Sequence, residues 1–123
     1  MATVNLMTAT SMKETLFVSG QLTTTSASTV YTVPSNSGIK LSAAALCNTS
    51  SATVSITGLH IVPSGGSAST TNKIVHSYSL AAGDTLSLTN YLGGMMLGDG
   101  DSIAVQVGTA NAVNVIISGA IAS

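Results

Sequence analysis

In several stretches of this chain, as at residues 52–57 and 85–89, apolar residues alternate with Ser or Thr at every second position, and the apolar runs are short and broken by Gly, Pro, Asn or Asp. A period of two places successive side chains on opposite faces of an extended backbone, so the pattern predicts half-buried β-strands. The turn clusters recur at roughly 8–12 residue spacing, as in sandwiches and barrels. The apolar set is dominated by β-branched residues, which pack well on a pleated surface.

The pattern predicts an extended arm over residues 1–14 and a β-sandwich domain over residues 15–123. Strands are expected at Thr15–Leu22, with Leu16, Val18 and Leu22 on one face, and at Ala27–Val33, which stops before Pro34. A third runs from Ile39 to Cys47, with Ile39, Leu41, Ala43, Ala45 and Cys47 sharing a face. In the fourth, Ala52–Val62, the positions Ala52, Val54 and Ile56 give way after Gly58 to Leu59 and Ile61. That one-residue slip is what a β-bulge produces, and it turns His60 outward. The uncharged segment Pro63–Asn72 reads as a flexible surface tip.

Further strands are expected at Lys73–Leu80, Asp84–Thr89, Ser102–Val107 and Ala112–Ile121, with a single helical turn allowed within Asn90–Leu97. The last strand is apolar on both faces, which suits a sheet centre or a subunit interface. About eight short strands without long helices predict one all-β, antiparallel, jelly-roll-like sandwich. An immunoglobulin-like sandwich is the second choice, without the Cys–Trp–Cys signature of that fold.

Composition sharpens the picture. Of 123 residues, 45% are hydrophobic and 6% are charged, against about 25% charged in an ordinary soluble domain. The charges are Lys13, Lys40, Lys73, Glu14, Asp84, Asp99 and Asp101. A surface so poor in charge repels its copies weakly and favours association. Three lysines without arginine cannot neutralise a row of phosphates, which argues against nucleic acid as partner. No basic amphipathic segment or long apolar run suggests a membrane. The N-terminus lacks the charged and apolar regions of a signal peptide, so the expected place of synthesis is the cytoplasm. Cys47 is the single cysteine and is expected to be a buried, inert thiol.

Candidate chemistry is sparse. His60 and His76 have no carboxylate nearby in sequence, and zinc sites normally use three or four protein ligands. Asp99-Gly100-Asp101-Ser102 has the oxygen spacing of some calcium loops but lacks the later ligands, and Asp-Gly before an alternating run is a turn signal. There is no Gly-x-Ser-x-Gly elbow to mark a nucleophile. Gly65-Gly66 and Gly93-Gly94 lack the lysine and helix of a phosphate loop. Asn48-Thr49-Ser50 matches a glycosylation sequon, idle without secretion. With no Trp, and only Phe17, Tyr31, Tyr78 and Tyr91, a sugar-stacking platform is hard to build. The expectation is a non-enzymatic protein with no catalytic, cofactor-binding or metal-binding residues.

The stretch Val30-Tyr31-Thr32-Val33-Pro34, followed by Ile39–Asn48 and Ala52-Thr53-Val54-Ser55-Ile56, resembles small structural proteins of tailed bacteriophages. Ile61-Val62-Pro63-Ser64-Gly65-Gly66, Ser79–Leu86 and Gly98–Ile103 continue the likeness, which covers about residues 28–120. The resemblance implies a virion component, a capsid decoration (cement) protein that forms homotrimers on the shell and clamps the major capsid protein. A tail, baseplate or fibre module, involved in attachment or in receptor or carbohydrate binding through Pro63–Asn72, is the alternative.

Overall fold

The computed structural model describes residues 11–123. Ten strands form two five-stranded antiparallel sheets: β1 (Met12–Gln21), β2 (Ser28–Thr32), β3 (Gly38–Asn48), β4 (Val54–Val62), β5 (Lys73–Val75), β6 (Tyr78–Leu80), β7 (Thr85–Ser87), β8 (Met96–Leu97), β9 (Ser102–Val107) and β10 (Val113–Ala122). A 3₁₀ turn, Thr70–Asn72, precedes β5, and one helical turn, α1 (Thr89–Leu92), follows β7. The first sheet has the order β1-β10-β3-β7, with β8 also pairing β3. The second has the order β2-β9-β4-β5, with β6 also pairing β4. Because β5/β6 and β7/β8 each flank a single central strand, the ten strands fill eight positions. The chain passes between the sheets so that β10 inserts between β1 and β3 and β9 between β2 and β4. This is jelly-roll order.

The strand most apolar on both faces, β10, is thus a central strand. The core lies between the sheets and contains Ile39, Leu41 and Leu46 of β3, Ile56 and Leu59 of β4, Ile103, Val105 and Val107 of β9, and Val113, Val115 and Ile117 of β10, all at most 1% exposed. Burial of each such side chain contributes about 1.5–3 kcal/mol before chain entropy is counted. At one open side of the sandwich, Phe17 and Tyr31 bring their rings together at 4.9 Å, tilted by 50°, and so join β1 to β2 across the two sheets.

Bulges account for most departures from the expected pattern. In β1, Leu16 pairs with Ser118 and Val18 with Ile117, leaving Phe17 as the extra residue. Phe17 turns towards Tyr31, and Leu16, expected inside, is 60% exposed. In β3 the extra residue is Ser42, between Leu41 opposite Gly119 and Ala43 opposite Ser118. Beyond it the phase inverts: Ala44 and Leu46 enter the core, while Ala43, Ala45 and a half-buried Cys47 face outward. The single-face reading of Ile39–Cys47, and with it the buried thiol, is corrected. The slip expected at Gly58 is present, with Thr57 as the extra residue of β4.

The expected strand Lys73–Leu80 is broken at His76-Ser77, where both side chains are exposed. The expected arm over residues 1–14 is shortened from its far end. Met12–Glu14 pair with Ala122, Ile121 and Ala120, and the backbones of Ser11 and Ser123 bond to each other. These are exposed edge positions held by backbone pairing alone, so no apolar alternation marks them. Residues 1–10 lie outside the described residues.

Candidate functional site

His60, His76, Asp99, Asp101 and Asn48 each have a side-chain contact within the fold. His60 lies on the outer side of the second sheet, in one row with Thr29, Ala104 and Lys73, yet is 2% exposed. The outward position expected for this histidine is found, and the segment Ser67–Asn72 folds over it. Its Nδ1 lies 3.0 Å from the Ser69 carbonyl oxygen and 2.8 Å from Asn72 Oδ1. Both are acceptors, so in the neutral ring Nδ1 carries the proton and Nε2 keeps a lone pair. Nε2 is buried without a partner. It lies against Gly58, where a Cβ would come within 2.7 Å of it. The imidazole occupies the space of the missing side chain.

Asn72 also accepts from the Ser69 amide at 3.0 Å and donates to the Ser67 carbonyl at 2.9 Å. The second half of Pro63–Asn72 is therefore a fastened turn, with Ser69 capping it. A wholly flexible tip is not what the residues build. His76 is exposed, and its Nδ1 is 3.3 Å from Lys73 Nζ. The two histidines have different partners and do not form a common centre.

Asp99 and Asp101 fasten three loops. The Asn36 amide donates to Asp99 Oδ2 at 2.9 Å, the Gly98 amide to Asp101 Oδ2 at 2.9 Å, and the Ser64 amide to Asp101 Oδ1 at 3.0 Å. Carboxylates bonded to backbone amides in this way hold turns. Gly100, at φ +82°, has no room for a Cβ beside the Ser64 hydroxyl. Among the described residues, no three His, Cys, Asp or Glu side chains gather as a metal site would require.

Asn48 is a structural residue that the sequon reading passed over. It is fully buried. Its Nδ2 donates to the carbonyls of Ala52, Leu80 and Ala81 at 2.8, 3.0 and 3.2 Å, and its Oδ1 accepts from the amide and hydroxyl of Ser50. The amide nitrogen that a glycan would need is committed to tying β3 to the ends of β6 and the following turn.

Among the described residues, the outer face of the first sheet presents exposed apolar side chains. Cross-strand register arranges it in five rows: Gln21, Asn114, Cys47, Thr85; Ser19, Ile116, Ala45, Ser87; Leu16, Ser118, Ala43; Glu14, Ala120, Lys40, Met96; and Met12, Ala122, Gly38. Leu16, Ile116 and Met96 are 60%, 49% and 61% exposed. Around them lie alanine, serine and threonine, and the charges in these rows are Glu14 and Lys40. A depression of about 300 Å³ lies over Ser118 and Gly119, between Leu16 and Ser42. A second, of about 230 Å³, lies over Ala43–Ala45 and is flanked by Ile116 and Ser87. Sequence reasoning placed Leu16 inside and the alanines in the core, so it could not assemble this face. No protein-family model, curated protein or solved structure matches this chain.

Proposed function

We propose that this protein is a non-enzymatic structural subunit of a tailed-phage particle, a decoration (cement) protein that binds the outside of the capsid as a homotrimer and stabilises the shell. The observation that carries the reading is the outer face of the first sheet, where exposed Leu16, Ile116 and Met96 stand on a ground of small and hydroxylated residues with two charges. Such a face is a poor ligand pocket but a good packing surface, since small residues let another protein approach closely. His60, Asp99, Asp101 and Asn48 all serve the fold, which supports a role in assembly rather than chemistry. The virion and the trimer come from the resemblance carried by Val30–Pro34 and the segments after it.

The test is co-sedimentation of the purified protein with empty expanded shells and, in parallel, with tail fractions, together with light scattering for mass. Saturable binding to shells by a trimer is expected. Binding to tails alone would move the protein to the attachment apparatus, and a strictly monomeric protein that binds neither would overturn the proposal.

A further inference from the structure

We infer that the outer face of the first sheet pairs with the same face of a second copy, about a two-fold axis parallel to β10. This names the partner on the face that the proposed function assigns to subunit packing, and rests on that assignment alone.

The register supplies the argument. β10 is central, and β1 and β3 flank it at equal distances of about 4.8 Å. A two-fold axis along β10, lying between two stacked faces, exchanges β1 and β3 while keeping each row opposite itself. Glu14 on β1 and Lys40 on β3 share a row on either side of Ala120. The rotation sets Glu14 of each copy opposite Lys40 of the other, giving two opposite-charge contacts. It sets Leu16 opposite Ala43, over the depression that the alanines leave. Ser19 meets Ala45, Gln21 meets Cys47, and Ile116 meets its own copy on the axis. Large faces small, and acid faces base. A two-fold axis across the strands has neither property: about an axis through the middle row, Glu14 meets Ser19, Lys40 meets Ala45 and Leu16 meets its own copy.

The size of the face sets the strength. The axis overlaps the three strands β1, β10 and β3, and over five rows these cover about 14 by 34 Å, or roughly 500 Å² per copy and 1,000 Å² for the pair. That is the lower limit of specific interfaces, so free pairs are weak and concentration-dependent, and copies anchored side by side gain by multivalency. If the free protein is a trimer whose three-fold axis is crossed by this two-fold, pairing joins two trimers, and the mass again doubles.

Analytical ultracentrifugation up to millimolar concentration reads that doubling. Each charge reversal creates two like-charge contacts per pair, so Glu14→Lys and Lys40→Glu are each expected to weaken pairing by about tenfold or more. The double variant, Glu14→Lys with Lys40→Glu, is expected to restore it. All three sites are exposed, and circular dichroism checks that each variant is folded. Ile116→Arg is expected to abolish pairing. Absence of doubling in the unmodified protein, doubling undiminished by Ile116→Arg, or failure of the double reversal to rescue the singles would each overturn the inference. Loss of shell binding in Ile116→Arg, with no doubling of the free protein, would give the face to the capsid instead. Pairing as described without binding to shells would leave this inference standing and remove the proposed function.

Discussion

Replacing Asn48 with Asp changes one NH₂ group to oxygen with almost no change in shape, so no cavity confuses the result. In the native protein the two Nδ2 hydrogens serve three carbonyl oxygens, those of Ala52, Leu80 and Ala81, at 2.8–3.2 Å. Losing those two donors costs about 2 kcal/mol at about 1 kcal/mol net per hydrogen bond. A carboxylate would also face three carbonyl dipoles in a site with no exposure, and an uncompensated buried charge costs a further several kcal/mol. Together the change is worth roughly 4–6 kcal/mol at neutral pH, a large share of the 5–15 kcal/mol typical of a whole domain.

The pH dependence has a definite sign. The folded state disfavours the ionised form, so the introduced carboxyl titrates higher in the folded than in the unfolded chain, where it titrates near about 3.9. The charge penalty is absent below the unfolded value. It grows by about 1.4 kcal/mol per pH unit above it, until the folded group also ionises. Urea unfolding followed by circular dichroism, with native and variant proteins compared from pH 4 or so to neutrality, measures this directly. A loss below about 1 kcal/mol at neutral pH, or a loss independent of pH, would refute the assignment of Asn48 as a buried donor to three carbonyls.

Three other outcomes are expected. Gly119→Ala should destabilise by about 2–3 kcal/mol or more, because its Cβ would meet the Lys40 carbonyl oxygen and the Leu41 backbone at the β3 bulge. Gly20→Ala, with nothing within 4 Å of the added carbon, should stay within about 1 kcal/mol of the native protein in the same denaturation assay. Asn72→Ala removes the contacts to His60, Ser69 and Ser67 and should make Pro63–Asn72 the first site cut in limited proteolysis, with a stability loss of about 1–2 kcal/mol. Burial raises the Tyr31 phenol above its ordinary 10.0, so its neutral form is favoured in the folded state. That contribution is intact below pH 10.0 and is lost as pH rises through the folded value. Tyr31→Phe should remove a step above pH 10.0 from the ultraviolet phenolate titration and flatten this alkaline loss.

Much of the architecture was legible in the residues themselves. The alternation Ile103, Val105, Val107 gave β9 its observed bounds, and Gly58 marked a bulge found one residue away at Thr57. Asp99-Gly100-Asp101 read correctly as a turn. The two-sided apolar character of Ala112–Ile121 pointed to a sheet centre or a subunit interface, and β10 is central. These signals are local: each rests on side-chain spacing or on backbone freedom within a few residues.

What only the tertiary structure decided is where an extra residue reverses a strand and who satisfies a buried polar atom. Phe17 and Ser42 are ordinary strand residues, and nothing beside them announces a bulge, yet one inserted residue sends every later side chain to the opposite face. That inversion turned Leu16, Ala43 and Ala45 outward and created the face on which the proposed contacts depend. Reading Asn48 only as an idle sequon and His60 only as turned outward missed their roles because their partners, at Leu80 and Asn72, lie 32 and 12 residues further along the chain. Hydrophobic period is a property of a segment. Hydrogen-bond satisfaction and strand register belong to pairs of segments, and only the folded chain brings those pairs together.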